Sequence, residues 1–484
     1  MTHPLRTGQG MDGWQRPNPD QNESGEFEAR RVLVVGGGIA GLSAAVSLLD
    51  EPGVEVTVRE ASGRLGGKIA TSEFAGVDHV DEGADAYLTR VPHAVSFATR
   101  LGVDDLTSPT DASAAVWHDR LHDIPAGIVL GMPAAIRPFV TTSLLSWRGK
   151  ARAALEPLLP RRDPGDSLGR LIRSRFGDEV HERLVDALVG SIYATDTDRS
   201  SLTAVPQLAG LADHHRSLLL GGRGVRRLAA GTTSGPIFAT SRRGMGALVD
   251  AAAHDIVGRG GLIETGRSVS SITAEADGWR VDDEWFDAVV IAAPAHAAAG
   301  LLNSVAPQSA AGLAAVEFAD VTMVRLAVPA DQWPERLHGR SGYLVPKPDQ
   351  QYVTAASFGS QKWAHWQPAD GAQIIRASLG RDGLPVAHLD DAAVRHHTVD
   401  DLSRHLGVDF DPTAISITRW SKAFPQYRPH HHDRVAAIER ELPDTIALAG
   451  ASHRGIGIPA CIADGRRAAK RIKASTGLPD VFLA

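Results

Sequence analysis

The clearest hydrophobic pattern begins at Val32. Four apolar residues, Val32–Val35, run straight into glycines, and small and apolar residues follow at helical spacing as far as Leu49. A second apolar stretch, Val54–Val58, ends on Glu60. The spacing predicts a buried strand, a tight turn, a helix over Leu42–Leu49 and a second strand. Farther on, "DSLGRLIRSRFGDEVHERLVDALVGSIYA" has apolar residues at helical period, with Asp166 the expected N-cap. "RRGMGALVDAAAHDIVGRGGLIETGRSVSSI" reads as a helix then a strand, and "WFDAVVIAAPAHAAAGLL" as a strand into a helix. From about Val316 to Arg434, strands alternate with loops rich in Trp, Pro and Gly, as in an antiparallel sheet. "TIALAGASHRGIGIPACIADGRRAAKRI" then gives a strand over Ile446–Ala449, a tight turn and a helix. Residues 1–30 are polar, lack the apolar core of a secretory signal, and are expected to form a disordered leader.

Composition narrows the field. The 484 residues are 43% hydrophobic and 22% charged, which suits several globular domains. A net charge of −7 gives no footprint for a nucleic acid. The single cysteine, Cys461, excludes an internal disulfide framework or a cysteine-built metal cluster. It fits a reducing compartment, so a cytoplasmic location is expected. The nearest candidate for a membrane span, Ile124–Ile136, is short and broken by Gly and Pro, so no transmembrane segment is expected.

The opening pattern carries chemistry. Gly36, Gly38 and Gly41 stand in G-x-G-x-x-G spacing, with Gly37, Ile39 and Ala40 between them. The first glycine permits a tight turn, the second lets the backbone approach a pyrophosphate, and the third lets helix and strand pack closely. Helix amides then point at the phosphate, and Glu60 can accept hydrogen bonds from a ribose. This predicts dinucleotide binding without choosing between FAD and NAD. His430–His432 are consecutive and point different ways, so they are read as solvated or hydrogen-bonded histidines, with no metal. Arg137, Arg148 and Arg152 flank apolar stretches; a solvated helix face is the ordinary reading, and a peripheral membrane contact the other. No Ser/His/Asp set or carboxylate pair stands out, so no catalytic residue is assigned.

Just past Glu60, "EASGRLGGKIAT" resembles the R-x-G-G segment of amine-oxidase-class flavoenzymes, which wraps the far side of the pyrophosphate. That resemblance favours FAD, and the C-terminal "GIGIP" turn and helix would then aim a helix dipole at the flavin. "VDEGADAYLTR", "LVGSIYATDTDRSSLTAVPQL", "SFGSQKWAHW", "RWSKAFPQY" and "RGIGIPACIADG" together resemble the oxygen-dependent protoporphyrinogen/coproporphyrinogen oxidase family of amine-oxidase-like flavoproteins. The resemblance covers about Val32 to Ile472. It implies an α/β fold, with a discontinuous Rossmann-like FAD-binding domain over 31–86, 236–298 and 435–475. A helical domain is expected over 87–213, and an α+β substrate-binding domain over 214–235 and 299–434.

The same resemblance implies cofactor contacts by Gly36–Gly41, Glu60, Ala61, Arg64, Lys68, the turn Gly83, Ala84, Asp85 and Ala86, Val269 through its backbone, Trp420, Gly450, and Ile456, Gly457 and Ile458. Arg90 falls where the family often sets a basic residue near the substrate mouth. Cys461 is expected to be a buried apolar thiol, and FAD to be held noncovalently. Several positions depart from the family pattern: Ala84 for a proline, Thr195 for a glycine, His430 for a glycine, Ala460 for an acid, and "RRGMG" for a glycine-rich turn. The implied activity is oxidation of coproporphyrinogen III to coproporphyrin III in haem biosynthesis, with O2 as acceptor giving H2O2. The alternatives are protoporphyrinogen IX oxidation, an amine oxidase, or a lipid- or partner-binding protein on the same fold.

Overall fold

The computed structural model describes residues 29–161, 163–232 and 235–475. Most of the segment expected to be a disordered leader, residues 1–28, lies outside them.

Two sheets organise the chain. The first is parallel, with strands in the order Leu262–Thr265, Val54–Glu60, Arg30–Val35, Ala288–Ile291 and Ile446–Leu448. Segments far apart in sequence thus complete one sheet. Its alternation has a direct cause, since successive side chains of a strand point to opposite faces. Val32 and Val34 pack into a core shared with the helices Ile39–Leu48, Gly246–Gly258 and Ile458–Ser475. Leu33 and Val35 pack on the other side, against Trp279, Phe286 and the helix Ala295–Leu302. Both faces are covered, which is why these strands read as continuous apolar runs.

The second sheet has seven strands, in the order Ala414–Pro425, Phe318–Val328, Gln373–Leu379, Val353–Phe358, Arg340–Leu344, Ser113–His118 and Arg120–Asp123. One pairing is parallel, Arg340–Leu344 with Ser113–His118, and the rest are antiparallel. The helix Asp391–Leu406 covers one face through Val394, Leu402 and Leu406; the strand pattern expected around it did not include it. Short pairings of Tyr87–Leu88 and Leu106–Thr107 with Phe238–Ser241 close the excursion between the two sheets.

The expected helical stretch 87–213 needs correcting at its start. After one helix, Pro92–Arg100, the chain enters the large sheet as the strands Ser113–His118 and Arg120–Asp123, and the run of helices begins at Ile136. At the other end, 214–235 was expected with the substrate sheet. Leu218–Thr232 is instead a helix, and its Leu218 and Leu219 sit in the helical core with Leu171, Val185 and Leu208. A helix needs a partner for its apolar stripe, and the nearest one is helical. The first helix starts at Ile39, not Leu42, because the amides after Gly38 already lie in helical geometry. Ser167, not Asp166, caps the helix Leu168–Phe176, accepting from the Arg170 amide. Asp166 instead accepts from the amides of Leu202, Thr203 and His430, tying distant segments together.

Among the described residues, no helix is long and apolar enough to cross a membrane, and no group of three or more His, Cys, Asp or Glu could hold a metal. Arg152 turns inward to the carbonyls of Ser174 and Arg175, and Arg148 lies over the exposed Trp147.

Candidate cofactor site

The glycine loop at the end of Arg30–Val35 is built by close approach. The Gly36 amide donates to the Arg59 carbonyl at 2.7 Å, and Gly36 has φ of +109°. A Cβ on Gly41 would lie 2.0 Å from the Gly36 carbonyl oxygen, so only glycine lets the helix start there. Around a Cβ on Gly38, by contrast, there is open space. The first turn of Ile39–Leu48 has neither a side-chain cap nor an acidic residue, although Ile39 and Ala40 are buried. Orphan amides at a buried helix start need an acceptor, and a phosphate fits this cradle.

Glu60 stands at the loop. One of its oxygens accepts from the Gly37 amide at 2.7 Å, and the other from the amide and hydroxyl of Ser62. The R-x-G-G turn packs directly on the first loop. The Gly66 amide donates to the Gly37 carbonyl at 2.9 Å, and Gly38 and Gly66 form a parallel bridge. Arg64 donates to the carbonyls of Leu65, Gly67 and Ile69, and its guanidinium lies 5.7 Å from the Trp420 ring. Arg64 therefore shapes the turn. Ala61 is exposed beside it. The Arg267 amide donates to the Glu60 carbonyl, which brings the segment holding Val269 alongside the same strand end. Lys68 is exposed, yet desolvation by the surrounding chain lowers the pKa of its ammonium, and the nearby Cys461 opposes the shift.

The turn Gly83–Ala86 rests on charges from the large sheet. Arg376, buried in Gln373–Leu379, donates to the Gly83 carbonyl and pairs with Asp85 at 3.2 Å. Lys362 and the Trp363 indole also bind Asp85, at 2.8 and 3.0 Å. Burial would raise the Asp85 carboxyl, but Lys362 and Arg376 outweigh it and hold it far below the usual range. Arg325, buried in the neighbouring strand, donates to the Val80 carbonyl and lies 3.5 Å from Glu82. Ala84 is exposed, and Trp420 packs beside Gly83. A single charged residue inside each apolar strand, in "VTMVRLAV" and "QIIRASL", was the available signal for Arg325 and Arg376.

Asp81 lies beneath this turn. It accepts from Thr71 and from the Met245 amide, and its pKa is pushed up to about 7, chiefly by burial. An unfolded aspartate titrates near ~3.9. Between these values the folded state binds a proton that the unfolded state has released, so stability falls as pH rises through that window. Asp81→Asn should remove the fall. We expect the gain near pH 8 to exceed the gain near pH 5 by about 2–3 kcal/mol, read by chemical denaturation at both.

The chain's last strand and helix complete the site. The Gly450 amide donates to buried Asp464 at 2.9 Å, and Gly455 has φ of +144°. Ile456 and Gly457 lead into Ile458–Ser475, whose first turn has no acidic residue. A Cβ on Gly465 would lie 2.2 Å from the Ala40 carbonyl oxygen, so this helix crosses the first one in direct contact. Cys461 is buried, and burial pushes its thiol up to about 12, with Asp464 adding and Lys68 opposing. The site thus gathers two helix N-termini, both glycine turns, Glu60, Lys68, the Gly83–Ala86 turn and Trp420. Arg90 is exposed beyond Tyr87–Leu88.

The departures from the family pattern have local explanations in part. His430 takes φ of +65°, the conformation a glycine would hold without cost, and is retained by the hydrogen bond its amide donates to the Asp166 carboxylate. Thr195 is buried, pairs with Ser200 and gives its carbonyl to Arg381. Nothing in the structure explains alanine at 460.

The flavin containing amine oxidoreductase family model matches residues 39–473. The chain is 32% identical to the coproporphyrinogen III oxidase of Bacillus subtilis (strain 168), over 91% of this chain and 97% of that protein. It is likewise 32% identical to the coproporphyrinogen III oxidase of Propionibacterium freudenreichii subsp. freudenreichii, over 98% and 94%. Among solved structures, a candidate protoporphyrinogen oxidase from Exiguobacterium sp. 255-15 superposes with a TM-score of 0.82 at 26% identity, covering 93% of this chain and all (100%) of that one.

Proposed function

The chain belongs to the flavin containing amine oxidoreductases, and from that premise we propose that it oxidises coproporphyrinogen III to coproporphyrin III in haem biosynthesis, using FAD. The observation that carries this reading is the full-length likeness to coproporphyrinogen III oxidases, on a chain whose glycine turns and helix N-termini fit a dinucleotide. In this reading the parallel sheet, with its helices, is the FAD-binding domain, and the seven-stranded sheet is the substrate-binding domain.

When bound, the flavin supplies the two-electron acceptor for each oxidation. The residues of the chain hold and orient. Gly38 and the amides of Ile39–Gly41 would receive the pyrophosphate, and Glu60 the ribose. Lys68, Trp420, the Gly83–Ala86 turn and the start of Ile458–Ser475 would border the flavin. A porphyrinogen loses six hydrogens as three pairs, and three O2 leave as three H2O2. Pyrrole protons can depart to water, so no side chain need act as general base. Arg90, exposed and cationic, suits a substrate carboxylate.

The burial of Cys461 supports a noncovalently held FAD: the thiol is pushed up to about 12, which keeps it protonated at neutral pH and a poor nucleophile. Acid precipitation of the purified protein should release all the yellow colour into the supernatant; flavin in the pellet would show a covalent link.

The substrate is tested by kcat/KM for coproporphyrinogen III and protoporphyrinogen IX under one set of conditions. Coproporphyrinogen carries four propionates and protoporphyrinogen two. A site that pairs the additional carboxylates would leave charges unmatched with the second substrate. We expect coproporphyrinogen to be favoured by about tenfold or more, or about 1.4 kcal/mol. An equal or larger protoporphyrinogen value would replace this assignment with the second substrate. The Arabidopsis thaliana protoporphyrinogen oxidase 2, 25% identical over 91% of this chain, makes that the alternative to test.

A further inference from the structure

The buried Tyr427 is assigned no role by the cradle described above. It follows the strand Ala414–Pro425, and its hydroxyl lies inside the C-terminal turn. That hydroxyl donates to the Ala451 carbonyl at 2.5 Å and accepts from the Gly455 amide at 2.7 Å. One phenol thus bridges both ends of the segment Ala451–Gly455. Its ring is stacked on His431, with centroids 3.9 Å apart and planes 10° from parallel. His431 Nε2 lies 3.1 Å from the His453 carbonyl oxygen. A carbonyl only accepts, so Nε2 carries the hydrogen. Burial holds the His431 pKa down to about 4, which leaves the ring neutral. Two stacked rings therefore grip three consecutive stations of the turn: Ala451, His453 and Gly455.

The grip also reaches the helical region. The Ser201 amide donates to the Tyr427 carbonyl at 2.7 Å, and the neighbouring Gln426 side chain reaches the Ala194 carbonyl at 3.4 Å. Tyr427 lines a small cavity with Tyr193, Thr195 and Ser200. On the far side, Gly455 lies against the C-terminal helix: its carbonyl accepts from the Cys461 thiol at 3.7 Å, and the space is so tight that an added Cβ would lie 2.7 Å from the Cβ of Ala460. A displacement of the Gly455 amide must therefore carry into the start of that helix.

We propose that Tyr427 is a positioning residue for the turn Gly455–Ile458, setting through the Gly455 amide where the C-terminal helix meets the flavin. The proposal rests on the reading that a flavin sits at that turn. It makes the helical region and the cofactor turn one mechanical unit, joined through Tyr427, its carbonyl on the helical side and its hydroxyl on the turn.

The test uses full-length holoprotein carrying Tyr427→Phe, which keeps the stacked ring and removes only the hydroxyl. The reads are the flavin absorption spectrum, the flavin reduction potential by dye equilibration, kcat and KM for coproporphyrinogen III, and thermal unfolding. A helix N-terminus favours negative charge on a reduced flavin, so a slackened turn should make the flavin harder to reduce. The expected result is a more negative potential, an altered flavin band shape, and kcat lowered about tenfold with KM within twofold. His431→Phe, which keeps the stack and loses the bond to His453, should shift the same quantities in the same direction by less, and it carries the test if the tyrosine variant does not fold. Potential and kcat at wild-type values in a folded, flavin-loaded variant would overturn the proposal alone. Wild-type protein that binds no flavin would overturn the underlying reading and the proposal with it.

Discussion

Gly41→Val should give a protein that no longer retains FAD. The Cβ alone would stand 2.0 Å from the Gly36 carbonyl oxygen and 3.2 Å from the Ala292 side chain. Both neighbours belong to the packed floor of the parallel sheet, and the nearer is backbone, so no flexible side chain can give way. The helix Ile39–Leu48 must move out, taking its first-turn amides away from the phosphate position. Overpacking of this kind costs about 1–3 kcal/mol of stability and occasionally more. The lost cradle should weaken FAD binding at least about a hundredfold, or about 2.7 kcal/mol. Titration of apo-protein with FAD reads the affinity, and chemical denaturation without FAD reads the packing cost separately. A variant that purifies yellow, with an unchanged dissociation constant, would show that this approach is not needed for binding.

Arg376→Met should be the most damaging change outside the glycine loop. The guanidinium is buried and serves two groups at once, the Gly83 carbonyl and the Asp85 carboxylate. Methionine fills similar space and satisfies neither. Breaking a buried pair from one side leaves a charge without its partner and costs about 3–5 kcal/mol. Lys362 and the Trp363 indole still hold Asp85, so the lower end, about 3 kcal/mol, is expected. The Gly83–Ala86 turn should lose its fixed position, and FAD affinity should fall with it. Asp85→Asn in the Arg376→Met background should recover part of the stability, because it removes the charge left behind. Absence of recovery in denaturation curves would show that the cost lies in the Gly83 carbonyl or in packing.

By itself the sequence determined the parts that are local. Val32–Val35, the glycine spacing and Glu60 form one continuous stretch, and its reading needs only strand periodicity and the sterics of glycine. The "GIGIP" turn before the last helix is equally local, while the Arg64–Lys68 turn was legible through its resemblance to the R-x-G-G segment of flavoenzymes. Tertiary structure decided what depends on partners distant in the chain. Ser113–His118 and Arg120–Asp123 became strands because the edge at Arg340–Leu344 offered unpaired backbone groups. Asp166 lost the capping role to Ser167 because the amides of Leu202, Thr203 and His430 converge on it. Arg325 and Arg376 are legible only as odd charges within apolar strands. Their counter-charges, Glu82 and Asp85, come from the other sheet's excursion. Tyr427 reads as one more aromatic after a strand, and its bonds to Ala451 and Gly455 exist only once the parallel sheet has closed. A motif is written in neighbouring residues, whereas a buried charge or hydroxyl is defined by whatever the folded chain brings to it, and periodicity carries no record of that.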